Sequence, residues 1–404
     1  IRCGAKERVL GKKFRQLRSG APSMLSVAIP TLLEHTPPKG AANTLPFDGR
    51  QTITFTDSRK ATATFSLRGQ HDAERNFTRS FVYHYLWQHA YQQGGASQTA
   101  VSALQNEIDE LLKAGGDQSP LKAIRDVYAQ KLRELKALQA PPVGELPWEK
   151  VERELANRPE VEWISEHWKE QLGFKGSHLE VARLLLLRNF LHRPMRQNSL
   201  EALGLVTLKY NWLETRIPTA PKDWTRHKRT LDEWRSFLKL CLDFFVRNRS
   251  AVKVDKGSLS LLGVHHHLRQ IIAPGEPTPE TYIYARWPRA SRSLDNRMAS
   301  YLLTLLKLDA TTDVQTVDRL LEEAWTMLCD IGYLIPQDSG RVLDLNATHS
   351  TYNDAVSLLS PEQGWKCPVT RRFLDTTIDT ITPYALENLQ KSTPVDMPRP
   401  PQAP

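Results

Sequence analysis

The sequence predicts a mainly α chain with small β elements. Most apolar residues recur at three- and four-residue spacing, the strand-like runs are short, and Gly and Pro punctuate the gaps. At 404 residues the chain exceeds one typical domain, so about two to four structural units are expected.

Arg2 to Arg18 is strongly basic, with Lys6, Arg8, Lys12, Lys13 and Arg15 among few apolar positions. It reads as a solvated face or as an approach segment for phosphate. Pro22 introduces a helix through Leu33 with a kink at Pro30. After a loop around Pro37, Pro38 and Gly40, Gln51 to Thr56 carries the β-branched residues of a short strand, which stops at Asp57, Ser58 and Arg59. A helical run follows from Lys60 to Trp87. Its Phe77, Phe81, Val82, Tyr85 and Leu86 read as core rather than as a base-stacking platform, and Arg75 and Arg79, one turn apart, face either solvent or phosphate.

Val101 to Ala114 and Leu121 to Leu138 are two amphipathic helices whose repeats suit an antiparallel pair. Trp148 to Leu172 continues helical, His178 to His192 is another apolar helix, and Leu205 to Tyr210 shifts to strand chemistry. Leu231 to Val246 is a helix with mostly core aromatics. Val252 to Val254, Ser258 to Leu262 and Thr281 to Tyr284 are strand candidates. Between them stand His265, His266 and His267. Three adjacent histidines cannot all point one way and no Cys or carboxylate sits at ligand spacing, so no metal site is expected.

Asp295 to Leu306 and Val314 to Gly332 are helices joined by a turn, and Tyr333 to Ile335 with Arg341 to Leu345 is a ribbon folding at Asp338, Ser339 and Gly340. A helix-turn-helix followed by a hairpin is a winged-helix pattern, used to bind duplex DNA or to pack on a neighbouring domain.

Function is read around the corner Asp57, Ser58 and Arg59. As residues, Asp57 and Ser58 cap the new helix and Arg59 is solvated, or the corner binds a ligand at the carboxyl end of its strand. The run LPFDGRQTITFTDSRKATATFSLRGQHDAERNFTRSFVYHYL resembles the opening of the second RecA-like lobe in large bacterial superfamily 2 DEAD/DEAH-box helicases. Several of these belong to phage-defence or DNA-repair contexts, and their motif IV reads roughly F-[TS]-D-[SN]-R-Q. Phe55, Thr56, Asp57, Ser58 and Arg59 match it, while Lys60 stands where Gln is usual. The resemblance implies phosphate-side contacts at Ser58 and Arg59, with Asp57 organising the loop.

RPMRQNSLEALGLVTLKY and GWKCPVTRRFLDTT are similar to two later passages of the same helicases. Arg193 and Arg196 in the first, with Arg371 and Arg372 in the second, are candidate strand contacts. The implied organisation is the start of a RecA-like lobe over 1–92, a large helical insertion over 93–292, a winged-helix-like unit with the CPVTRR block over 293–393, and a proline-rich linker over 394–404.

A net charge of +9 suits a polyanionic partner, because Lys and Arg gain affinity by releasing phosphate counterions. Cys3, Cys241, Cys329 and Cys367 form no C-x-x-C, which argues for a reducing compartment. No run approaches the roughly 20 apolar residues of a membrane span, and no signal-peptide pattern is present, so the bacterial cytoplasm is expected.

Neither G-x-x-x-x-G-K-[ST] nor a magnesium-binding D-E-x-x occurs where a motor would use it. Gly11-Lys12-Lys13 lacks the upstream Gly and the following Ser or Thr, and Asp109-Glu110 lies within an amphipathic helix. Gln337, Gly340 and Arg341 echo motif VI but are better explained by a hairpin turn. The resemblance therefore implies an internal part of an ATP-dependent helicase or translocase acting on nucleic acid, DNA more than RNA. It would pair with the remainder of the motor, and ATP and Mg would be bound by the intact protein rather than by this segment. The first lobe is expected upstream of Ile1 and motifs V and VI downstream of Pro404. The alternatives are a non-enzymatic DNA-binding winged-helix adaptor and a helical interaction scaffold.

Overall fold

The computed structural model describes residues 32–33, 35–39, 50, 59–94, 98–113, 115, 118, 121–139, 144–191, 199–255, 258–262, 268–277, 279, 283–294, 296–345, 355–361, 364–367, 372–386 and 389–392, with the backbone alone for some, including 59–68. Helix α1 (Arg59–Gly94) buries Glu74, Thr78, Phe81, Val82, Leu86 and Ala90 along one stripe, the spacing that one face of a helix provides. Helices α2 (Gln98–Lys113) and α3 (Lys122–Gln139) form the expected hairpin. Its seam of Leu104, Ile108 and Tyr128 is separate from the main core, and Leu112, Leu121 and Val127 stay exposed.

After β1 (Glu145–Pro147), the single run expected over Trp148 to Leu172 is two helices, α4 (Trp148–Ala156) and α5 (Pro159–Leu172). Pro159 cannot donate to the helix ladder, so it opens a new helix instead. Gly173, at φ 66°, closes α5, and a Ser177–Glu180 capping box starts α6 (His178–Phe190). Contacts to α1, α4 and α5 make α6 central, and that is why it is buried from Leu184 to Phe190 without a break.

Strand β2 (Thr207–Tyr210) leads into α7 (Asn211–Thr215), α8 (Lys222–Arg226) and α9 (Leu231–Leu240). The α-helix expected through Val246 does not hold that winding. It passes into a π-helical segment, Cys241–Val246, and then one 3-10 turn, Arg247–Arg249, before Ser250 reverses the chain at φ 53°. The wider π turn leaves all six of its residues buried, among them Asp243, Phe244 and Phe245.

The strand candidates fare unevenly. Val252 forms one bridge, to Leu343. Ser258 to Leu262 is corrected to a 3-10 turn at Ser260–Leu262, since short apolar runs do not distinguish strand from turn by periodicity. Strand β3 (Gln270–Ile272) was not anticipated, and β4 (Tyr284–Arg286) begins where the third candidate ends.

Helices α10 (Arg297–Leu306), capped by Asn296, and α11 (Val314–Asp330) precede the hairpin β5 (Leu334–Gln337) and β6 (Gly340–Leu343). The expected turn lies between them, with Asp338 at φ 48°. The remaining strands are β7 (Val356–Leu359), β8 (Gly364–Lys366), β9 (Phe373–Leu374) and β10 (Gln390–Ser392). The small sheets have strand orders β1-β7-β2, β10-β8-β9 and β4-β3-β6-β5. In the first, Leu358 lies opposite both Leu146 and Leu208. The fold is mainly helical with small sheets, and one buried cluster extends from Phe81 through Trp148 and Tyr333 to Leu389.

At its centre lies Arg247, fully buried. Its guanidinium donates to both Glu201 oxygens at 2.7 and 2.8 Å, to Asp243 Oδ1 at 2.6 and 3.1 Å, and to the Phe190 carbonyl at 3.1 Å. Asp243 also accepts from Tyr210 at 2.9 Å and Lys239 at 3.0 Å, and Lys239 reaches on to Asp375. Burial opposes the Arg247 charge, but Asp243 and Glu201 outweigh it and raise its pKa well above the ordinary value. Replacing Arg247 with Met takes away the cation shared by two buried carboxylates, Glu201 and Asp243, so urea denaturation is expected to show a loss of about 3–5 kcal/mol. Arg226→Met, at an exposed pair with Asp223, is the control and should change stability little.

Candidate nucleic-acid interface

The two arginines expected along α1 are held by the neighbouring buried stripe. Glu74 is the one carboxylate in that stripe, and it accepts from Trp168 Nε1 at 3.0 Å and from Arg188. Arg188 also donates to the Leu261 carbonyl and lies 4.8 Å over the Trp168 ring. Glu74 and Arg188 thus cancel each other in the interior and lock α1 against α6. Sequence reading missed this pair, although a Glu on the same face as Thr78 and Phe81 was the available signal.

Arg75 and Arg79, each one position beyond that stripe, are half-buried. Arg75 lies 3.7 Å from Asp72, whereas Arg79 donates only to the neutral Asn76 side chain, at 3.3 Å. The Nε of each is buried and without a hydrogen-bond partner among the described residues. Burial first, and then the like charge of Arg75, lowers the Arg79 pKa to about 10. The Asp72 field offsets this in part, but a desolvated cation beside another cation, with no ion pair among the described residues, is stabilised by an arriving anion such as a phosphate.

The other expected contacts do not join this pair. Arg59 is the first residue of α1, and only its backbone is described; Asp57, Ser58, Arg193, Arg196 and Arg371 lie outside the described residues, as do the Gln51 to Thr56 run and the three histidines. Arg372 is 8% exposed, and its carbonyl accepts from the Cys367 N–H at 3.0 Å. It is therefore enclosed where a solvent-facing strand contact was expected. The apolar neighbours Phe373 and Leu374 carry it into the core as β9 joins its sheet.

Helix α11, the second helix of the expected helix-turn-helix, has Asp318, Glu322, Glu323 and Asp330 against the single basic residue Arg319. Asp318 accepts from the backbone N–H of Ala290 at 2.5 Å, Glu322 pairs with Arg289, and Arg319 pairs with Asp223 at 2.8 Å. Its polar face is acidic, and three of its charged residues, Asp318, Arg319 and Glu322, are engaged by the same chain. Among the described residues no helix is long and apolar enough to cross a membrane.

Three histidines follow the arginines or flank them on α1. Burial, then Arg188, lowers the His71 pKa below its ordinary 6.5; burial lowers His84, and burial with Lys150 lowers His89. A depressed folded-state pKa means that the unfolded chain takes up protons first as pH falls. Stability from these groups is present above 6.5 and lost below it. The thermal midpoint should fall between about pH 7.5 and pH 5.5, and a His71→Gln/His84→Gln/His89→Gln variant should show a flatter dependence.

The chain matches no protein-family model, no curated protein and no solved structure.

Proposed function

We propose that this chain supplies strand-contacting surface to an ATP-dependent nucleic-acid helicase or translocase of the bacterial cytoplasm, acting on DNA more than RNA. Arg75 and Arg79 carry the nucleic-acid part of the reading: two half-buried cations one turn apart, with no ion pair to Arg79 among the described residues. The motor part rests on the Phe55 to Arg59 run immediately before them and on the two later passages that resemble the same helicases. In this reading 1–92 opens a RecA-like lobe and 93–292 is a helical insertion.

No residues of this sequence fit an ATP and magnesium site. The phosphate-cradling loop is missing from it, and among the described residues no group of His, Cys, Asp and Glu is arranged to hold a metal. ATP and Mg are assigned to the remainder of the motor, and no catalytic residue is assigned here.

In this reading the segment around α10 and α11 is winged-helix-like, supported by two helices joined by a turn and followed by the β5–β6 hairpin, within a sheet of order β4-β3-β6-β5. The acidic face of α11, with Glu322 and Arg319 already paired within the chain, supports a docking role for it and weighs against a duplex-reading adaptor.

An Arg75→Gln/Arg79→Gln variant tests the interface. Anisotropy titrations of a labelled single-stranded oligonucleotide over a salt series should show weaker binding, with the salt slope reduced by about 1.4 for two lost phosphate contacts. An unchanged slope rejects the interface. In the intact motor, Arg59→Ala is expected to lower both DNA-stimulated ATP hydrolysis and strand displacement, and normal turnover would reject the motif IV assignment.

A further inference from the structure

Several arginines of the described chain are matched with carboxylates: Arg183 with Glu152, Arg188 with Glu74, Arg247 with Glu201 and Asp243, Arg319 with Asp223. Arg249, Arg269 and Arg297 stand apart from this pattern. None of the three is ion-paired among the described residues, and they come from three separate segments.

Strand β6 brings the first two together. Its one edge is occupied by β5 over the whole hairpin, while along the other Ile271 lies opposite Arg341 and Val252 beside Leu343. The chain just before Val252 and the start of β3 therefore meet at one edge, and these carry Arg249 and Arg269. Arg297, the first residue of α10, completes the group, and the positive fields of both Arg269 and Arg297 act on Arg249.

Aromatic rings back two of the three. Arg249 Cζ is 4.0 Å from the Phe245 ring centroid, and Arg297 Cζ is 4.5 Å from that of Tyr384. Phe244, beside Phe245 on the π segment, has its ring centroid 6.1 Å from Tyr384. A guanidinium stacked on a ring keeps its N–H edge for an oxygen ligand, so the rings orient these cations without neutralising them. Burial, followed by its two cationic neighbours, lowers the Arg249 pKa to about 10. Repulsion of this kind, retained in a folded chain without a compensating carboxylate, marks a place where an anion is expected to supply the missing charge.

We propose that Arg249, Arg269 and Arg297 form a second phosphate-binding site, which grips the sugar-phosphate backbone of a single nucleic-acid strand. The proposal rests on the nucleic-acid reading above and adds a contact formed by the 3-10 turn after the π segment, the residue just before β3 and the first residue of α10. Ring-backed arginines are the chemistry of single-strand grooves, where cations follow the backbone and aromatic faces lie close by.

The test is a salt series with the 404-residue chain and a labelled oligothymidine, comparing wild type, Arg75→Gln/Arg79→Gln and Arg249→Gln/Arg269→Gln/Arg297→Gln. Removing three phosphate contacts should lower the salt slope by about 2, at about 0.7 per contact on a single strand. If the triple variant does not fold, Arg269→Gln alone should lower it by about 0.7. Arg269→Gln leaves both ring contacts in place. It should raise the melting temperature of the free chain at low salt, whereas loss of a merely structural arginine would lower it.

Wild-type binding with a slope unchanged in Arg249→Gln/Arg269→Gln/Arg297→Gln but lowered in Arg75→Gln/Arg79→Gln overturns this site and leaves the α1 interface standing. No oligothymidine binding by wild type overturns both. Thermal stabilisation by inorganic phosphate, lost in the triple variant and unaccompanied by oligothymidine binding, would make this a small-anion site and overturn the strand assignment.

Discussion

One fully buried guanidinium, that of Arg247, sets the terms for the rest of the structure. A cation removed from water must find its compensation inside the protein, and here this requires Glu201, Asp243 and the Phe190 carbonyl to converge on it. Those partners belong to the end of α6, a turn before β2, and the π segment. Asp243 in turn holds Tyr210 and Lys239, and Lys239 reaches Asp375. The Tyr210 ring meets Tyr333 edge-on at 5.3 Å, and the Tyr333 hydroxyl donates to the Ala355 carbonyl and accepts from the Trp212 N–H. Through these contacts the helical centre, the β5–β6 hairpin and β7 share one interior.

The Glu74–Arg188 pair does for α1 what Arg247 does for the centre. It lies against Trp168 and the Leu261 carbonyl, so α1 is anchored by charge pairing as well as by Phe81, Val82 and Leu86. Anchoring one face of a helix determines what the next face presents. Arg75 and Arg79 follow directly on that stripe and remain only partly compensated. The contrast between matched interior cations and unmatched peripheral ones gives the net charge of +9 a location. Among the described residues, incompletely compensated arginines lie on α1 and near the start of α10, while α11 is acidic.

The helices were largely legible in the sequence. Apolar spacing placed the core stripe of α1, the α2–α3 hairpin, α6, α10 and α11, and the turn at Asp338 and Ser339 separated two strands as expected. These are local properties, because helix periodicity and turn chemistry depend on residues a few positions apart. Less legible were the break at Pro159, the π winding after Leu240, and the 3-10 turn in place of a strand at Ser260–Leu262. In the last two, packing decided between local geometries of similar cost.

Arg75 and Arg79 were recognisable as a one-turn pair, but charge spacing carried no information on which cations would be neutralised. Arg188, within the apolar helix expected over His178 to His192, is buried on Glu74, and Arg372, a candidate strand contact, is enclosed. Arg249, Arg269 and Arg297 had no common signal, since 20 residues or more separate neighbours in that set. The sequence by itself determined the mainly helical character and the cationic surplus. Tertiary structure alone decided which charges meet a partner and which do not, because desolvation and ion pairing depend on segments brought together from distant parts of the chain.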